Sequence, residues 1–291
     1  SDNSGTTATT LGKDSSGNGN NFTPNNFATG DSVKDSPTNN FCTLNLLNSQ
    51  NTNLSEGNLK GEITNATGNR TTVATMGVKS GKWYYEVLYN SQSSDSVTIG
   101  FGDESYNALH GNNKLFEDHT PSIGYRGNNN IYSNTSTSST STTFTSGDII
   151  GVAADLDNNQ IYFYKNGTVN SNTNPLSYTF SDTFFIPAIT NLTSGGNQTI
   201  TANFGQDSTF AGAKTAQGNT DANGKGDFYY SPPSGFKAIC TANLPDPTIA
   251  EGNKHFETLL WTGNNTDNRA ITGLNFQPDF TWIKRRSGGG M

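Results

Sequence analysis

Residues 144–167 read FTSGDIIGVAADLDNNQIYFYKNG and contain two apolar runs joined by a polar turn. The first run, residues 148–156, is almost continuously apolar, which is typical of a strand buried on both faces. The chain turns at Asp157-Asn158-Asn159 and returns through residues 160–165, and Asn166-Gly167 ends that run with a tight turn. The stretch therefore predicts two antiparallel strands, the first of them buried on both sides.

Short apolar runs recur on both sides of this pair, separated by clusters of Gly, Asn and Ser. Residues 82–89 (KWYYEVLY) are rich in aromatic side chains, and residues 96–101 (SVTIGF) alternate polar and apolar side chains as strands do. Further strands are expected at residues 122–126, 130–133, 184–189 and 199–204. No window shows helical periodicity, so the regular spacing predicts an all-β sandwich or barrel.

Composition excludes several classes of function. The chain has 291 residues with a net charge of −7, and 14% of its residues are charged. An acidic balance disfavours nucleic-acid binding, which needs clustered Lys and Arg, and the basic run Lys284-Arg285-Arg286 is short. No stretch approaches the ~18 apolar residues of a membrane-spanning helix. We therefore expect neither a nucleic-acid partner nor membrane insertion.

The runs of turn-forming residues predict three regions. Residues 1–37 are interpreted as a linker or the trailing edge of a preceding module, residues 38–233 as a β-sandwich, and residues 234–291 as the start of a further β-rich module with a strand near 280–284. Cys42-Thr-Leu-Asn-Leu and Cys240-Thr-Ala-Asn-Leu are interpreted as entry strands of two modules. The cysteines are expected to be buried thiols, and a bridge between them is left open. The ends of the sequence suggest a piece of a longer chain.

The middle of the chain resembles the SPRY family. The matching motifs occur in order over about residues 72–206: GKWYYEV (81–87), IGFG (99–102), SIGYR (122–126), FTSGDIIGV (144–152), FYKNG (163–167), FIPA (185–188) and NFGQ (203–206). The resemblance implies an antiparallel, concanavalin-like β-sandwich flanked by partial β-modules. It also implies a binding domain that is not an enzyme and has no cofactor, with Glu86 as a core-strand residue.

The flanking segments carry a wider resemblance. Residues 14–20 resemble a laminin-G-like module, and residues 233–245 resemble the segment C-terminal to SPRY modules in bacteriophage tail-fibre and other virion structural proteins. This implies a virion-surface or extracellular location, other virion proteins and a host-surface glycan or protein as partners, and a homo-oligomer. A capsid-decoration or filament protein with no host ligand, and a carbohydrate-active enzyme fragment, remain as alternatives.

Side chains near the predicted loops are the candidate ligand-binding residues. Aromatic side chains stack on ligands, and loops held by rigid strands carry specificity. The candidates are Tyr106, His110, His119, Tyr125, Arg126 and Tyr132.

The segment 221–227 (DANGKGD) resembles a calcium loop, because oxygen-bearing side chains alternate and glycines allow the bend. Asp221, Asn223 and Asp227 are the calcium candidates, although Lys225 stands where a carboxylate is expected. No metal site is predicted outright, and the histidine spacing matches no zinc pattern.

Overall fold

A computed structural model describes residues 7–27, 33–49, 52–63, 70–91, 97–105, 119–134, 136–139, 142–191, 198–246, 249 and 251–286. These residues divide into two units, residues 1–244 and 245–291. Nearly all of the regular structure lies in the first unit and is extended. The described residues contain no helix of the length and apolar character that crossing a membrane requires.

The strands, in chain order, are β1 Leu44–Ser49, β2 Asn53–Ser55, β3 Lys60–Ile63, β4 Arg70–Ala74, β5 Lys82–Ser91, β6 Val97–Asp103, β7 Ser122–Arg126, β8 Asn130–Ser133, β9 Ser136–Ser139, β10 Ile149–Asp155, β11 Gln160–Lys165, β12 Thr168–Val169, β13 Leu176–Ser177, β14 Phe185–Asn191, β15 Gln198–Asn203 and β16 Lys237–Ala238. Short 3-10 helices lie at Ser171–Thr173 and Gly252–Lys254.

The strands form two sheets. One has seven strands in the order β1-β4-β14-β6-β7-β8-β9, and the other has the order β12-β11-β10-β5-β15-β3-β2 with β13 beside β11 and β16 beside β5. The expected hairpins β7–β8 and β10–β11 are both present and antiparallel. The antiparallel, concanavalin-like sandwich expected from the sequence is thus confirmed.

The main core lies between the sheets and follows from side-chain alternation along the strands. On β5, Trp83, Tyr85, Val87 and Tyr89 all belong to this core. All seven residues of β10 are buried, as its apolar sequence predicts.

The opposite face of the nine-stranded sheet is also buried, because residues 205–244 pack over it. We call this segment the cover. Phe228, Phe236 and Cys240 pack there with Tyr84 of β5, and Phe210 packs with Leu88 and Ile149. Within the cover, β16 pairs in parallel with Trp83 and Tyr84 of β5. The neighbouring strand along the same edge of β5 is β15, whose last residue, Asn203, pairs with Glu86. The sandwich therefore has a third layer with little regular structure.

This layer corrects the predicted domain boundaries. Residues 234–244 complete the sandwich rather than open a new module, since Lys237–Ala238 pairs with β5. At the N-terminal boundary, the Lys34 amide donates a hydrogen bond to the Gln206 carbonyl. The unit therefore begins before residue 38, where the sequence placed the start of the sandwich. The strand expected near residues 280–284 is not formed, and the described residues of 245–286 contain no strand.

The two cysteine segments are partners and not repeated entry strands. Phe41 and Cys240 form an antiparallel bridge, and the Cys42 amide donates to the Ile239 carbonyl. Neighbouring residues of an extended chain point to opposite faces. Phe41 and its bridge partner Cys240 therefore pack between the nine-stranded sheet and the cover, while Cys42, next to Phe41, packs between the two sheets. Both thiols are free and buried, and burial raises the pKa of Cys42 to about 11.

Candidate functional site

A cavity lies at the end of the sandwich where β11 ends and β12 begins. Its volume is about 330 Å³, and its lining is Thr142, Lys165, Thr168, Val169, Asn170 and Ser171. The Asn166-Gly167 turn produces this corner, because both residues adopt positive φ, 49° and 77°, and send the chain back at once. The cavity therefore sits on a rigid hairpin.

Lys165 is held in place by a carboxylate and a carbonyl. Its Nζ lies 3.1 Å from Asp148 Oδ2 and donates to the Thr143 carbonyl at 2.9 Å. Burial raises the pKa of Asp148, but hydrogen bonds from the Thr145 amide, Asn166 and Lys165 outweigh it and keep that pKa below its ordinary value. Asp148 is therefore ionised at neutral pH and fixes the ammonium group at the cavity wall.

Asn170, a second residue of the cavity lining, is also held in place by hydrogen bonds. Its side chain is buried, its Nδ2 donates to Thr142 Oγ1 at 2.7 Å, and its main-chain amide donates to the Phe163 carbonyl. The lining residues carry an ammonium group, hydroxyl groups and an amide, and the stems of these side chains and Val169 make most of the exposed lining apolar. Such a surface can hydrogen-bond a carbonyl, a carboxylate or a sugar hydroxyl without rearranging.

A second polar cluster occupies the other end of the sandwich, where β6 ends. Asp103 Oδ1 lies 2.8 Å from His119 Nε2 and accepts hydrogen bonds from the amide and hydroxyl of Ser105. Ser122 Oγ donates to the His119 carbonyl. The His119 imidazole is thus tied to a carboxylate and oriented by it.

The structure does not bring together the four predicted ligand-binding residues that it describes. His119 lies in the cluster just described, while Tyr106 and His110 lie outside the described residues. Tyr125 was expected near a ligand-binding loop but is fully buried, because Ile123 and Tyr125 share the face of β7 that points into the core. Its hydroxyl donates to the Thr142 carbonyl. Tyr125 therefore supports the cavity wall from behind and does not reach a ligand.

Arg126 and Tyr132 do contact each other, but on the outer face of the seven-stranded sheet. The guanidinium carbon lies 3.9 Å from the centre of the Tyr132 ring, and Arg126 Nε donates to Thr98 Oγ1. Both side chains are buried. This pair therefore offers a ligand little accessible surface.

The hydrogen bonds of Asp221 argue against calcium at the candidate loop, where no metal site was predicted outright. Its Oδ1 accepts from the amides of Asn223 and Lys225, and its Oδ2 accepts from the Ala238 amide and from Asn243 Nδ2. Four N–H donors occupy the lone pairs that a cation needs. Asp227 takes no part in this arrangement, and the described residues contain no cluster of three or more metal-ligating side chains. The Asp221 loop thus anchors the cover.

Sequence reasoning missed Lys165, Thr142 and Asn170. The positive-φ turn at Asn166-Gly167 was predicted, and it could have pointed to the loop immediately after it. The sequence does not show that residues 142–145, which precede β10, fold back against this loop.

Comparison with known proteins finds two family models that match parts of the chain. Residues 82–207 match the SPRY domain model, and residues 251–290 match a domain of unknown function, DUF7483. No match was found among curated proteins. Residues 82–207 are therefore similar to a SPRY domain.

Similar solved structures include two human SPRY domains. The SPRY domain of human HERC1 is 18% identical with a TM-score of 0.46, and the match covers 55% of this chain and 96% of that one. A second human SPRY domain is 18% identical with a TM-score of 0.40, covering 53% and 95%. Stonustoxin is 19% identical with a TM-score of 0.41, covering 56% of this chain and 27% of its own.

Proposed function

We propose that this chain is a non-catalytic recognition module that binds its partner through the Lys165 cavity. The observation that carries the proposal is the preorganised set of polar groups in the lining, in which Lys165 and Asn170 are fixed by hydrogen bonds before any ligand arrives. Preorganisation lowers the entropy cost of binding. The lining residues that the structure describes include no carboxylate, which favours recognition over the facing carboxylates of a glycosidase.

The proposed partner is a surface glycan or protein, met by several copies of the chain on a virion surface or another extracellular assembly. The tail-fibre setting is supported by the resemblance of residues 233–245 to the segment that follows SPRY modules in virion proteins. Several weak sites on one particle would give avidity without any single tight site.

The test uses the full chain, because residues 234–244 complete the sandwich. The chain is coupled to a multivalent scaffold and assayed for saturable binding to bacterial cells and their purified surface polysaccharides and proteins. We expect Lys165→Met to weaken binding at least about tenfold, because a hydrogen bond from a charged group is lost. Lys79→Met is the matched control, since Lys79 pairs with exposed Asp182. Equal binding by both variants and the unmodified chain would refute the assignment of the cavity.

A second candidate, a decoration or filament subunit without a host ligand, is favoured by one observation. Residues 249–283 expose several large apolar side chains, including Phe256, Phe280 and Trp282. Exposed apolar surface of this kind promotes association. Light scattering distinguishes the two candidates. For a decoration or filament subunit, the molar mass of the particles should rise with protein concentration and should be lower for Trp282→Ser, and the chain should not bind cells.

A further inference from the structure

A buried carboxylate joins the sandwich to its cover. Glu86 lies on the outer face of β5 with no exposed surface. Its Oε1 accepts from the Tyr84 hydroxyl at 3.0 Å and from the Tyr230 amide at 2.8 Å, and its Oε2 accepts from the Tyr229 amide at 2.9 Å and from Asn203 Nδ2 at 3.3 Å. Two strands and the cover thus meet at one side chain.

No positive charge balances this group. Among the residues that the structure describes, no Lys, Arg or His forms an ion pair with Glu86, whereas Asp148 and Asp155 both have lysine partners. The anion is held by neutral donors alone, and such donors compensate only part of the cost of removing a charge from water. Burial accordingly raises the pKa of Glu86 to about 7, against the lowering effect of the four hydrogen bonds.

Three tyrosines around Glu86 do not change charge near neutral pH. Tyr84 on β5, Tyr164 on β11 and Tyr230 in the cover each have a pKa raised by burial, so they stay uncharged. Two further carboxyl groups belong to neighbouring segments: Asp148, which is paired with Lys165, and Asp227, whose main-chain oxygen accepts from Asn203 and whose buried Oδ1 has no hydrogen-bond partner among the described residues. Glu86 is therefore the carboxyl group that bonds β5 directly to the cover, with a pKa that burial raises to about 7.

The Tyr229-Tyr230 segment also contacts the turn beside the cavity. A Cβ placed on Gly167 would lie 2.6 Å from the Tyr230 ring, so the ring packs directly on the turn that leads to Thr168. At the same edge of the cover, Lys214 Nζ donates to the Gly147 carbonyl. Movement of Tyr229-Tyr230 would thus remove a support of the cavity.

We propose that Glu86 is a pH-controlled clasp that keeps the Tyr229-Tyr230 segment of the cover closed over β5 and releases it as pH rises. When the segment opens, water reaches the carboxylate and its ionisation becomes easier. The proton therefore favours the closed state, and deprotonation favours the open state. This inference concerns the fold and does not require the proposed ligand.

The sign and size of the effect follow from linkage. The pKa is about 7 in the closed state and 4.5 for a solvated glutamate. The stabilisation of the closed state is fully present below the lower value and is lost as pH rises through the higher one. The ratio of open to closed molecules should therefore rise by roughly two orders of magnitude from pH 4.5 to pH 8.

Amide hydrogen exchange of the full chain tests this clasp. After correction for the intrinsic rate of exchange, protection of the Tyr229 and Tyr230 amides should fall with rising pH. The Ala238 amide is an internal reference in the same cover, because it is bound by Asp221 instead of Glu86. Equal pH dependence at Tyr229, Tyr230 and Ala238 would overturn the proposal.

Two variants complete the experiment. Glu86→Gln removes the titrating group, so the difference between the Tyr229-Tyr230 amides and Ala238 should become independent of pH. Should that variant fail to fold, Tyr84→Phe keeps the ring and removes one donor to the anion, which should move the loss of protection to higher pH. Glu86 is not the responsible group if protection of the Tyr229 and Tyr230 amides, relative to Ala238, still falls with rising pH in Glu86→Gln. The same conclusion follows if the pH at which protection falls is unchanged in Tyr84→Phe.

Discussion

Two turn-rich segments of this chain are similar in aromatic content but differ in how far their aromatic side chains are buried. The cover and residues 251–286 each contain several aromatic residues and almost no regular structure. In the cover, Phe210, Phe228 and Phe236 are buried, whereas Phe280 and Trp282 of the second segment are 82% and 80% exposed. Aromatic content alone therefore does not order a chain.

What distinguishes the cover is its polar anchors. Glu86 accepts two main-chain amides of the cover, and Asp221 accepts three main-chain amides together with Asn243. A buried carboxyl group whose oxygens accept several N–H donors satisfies main-chain groups that no strand partner reaches. Among the described residues of 251–286, the carboxylates are exposed and make no such set of bonds. Buried anchors allow an irregular segment to remain packed.

The largest expected effect compares one phenylalanine from each segment. Phe228→Ala should lower the free energy of unfolding by about 4 kcal/mol, because it removes a fully buried ring that packs edge to face on Tyr84. Phe280→Ala should change it by less than about 0.5 kcal/mol, because that ring is exposed. Urea unfolding of both variants measures the difference. Similar losses would mean that the second segment is packed in solution.

A smaller effect is expected from the anchors themselves. Asp221→Ala should cost about 3 kcal/mol, since it leaves buried donors, including the Ala238 amide, without an acceptor. Asp279→Ala is the matched control in the exposed segment and should be close to neutral. Thermal unfolding of the two variants tests the comparison. A neutral Asp221→Ala would show that apolar packing alone holds the cover.

Alternation along the strands made most of the sandwich predictable. It also placed Ile123 and Tyr125 on one face of β7, so the burial of Tyr125 could have been foreseen from the same period of two. The cover could not be foreseen in this way, because its position depends on contacts over long sequence separations. Glu86 bonds to residues more than 140 positions away, and Phe41 meets Cys240 across almost 200. The cavity wall has the same origin, because residues 142–145 reach Lys165 and Asn170 only in the folded chain.

The smallest effect is expected where the cover touches the cavity turn. Gly147 and Gly167 have similar positive φ values of 90° and 77°, but an added Cβ meets no atom at Gly147 and the Tyr230 ring at Gly167. Gly147→Ala should therefore cost about 1 kcal/mol from backbone strain alone. Gly167→Ala should cost about 1 kcal/mol more, because the ring must also move. Unfolding free energies of the two variants isolate that contact. If the two substitutions lower the unfolding free energy equally, the Tyr230 ring moves aside at no free-energy cost. The cover and the cavity turn would then be energetically independent.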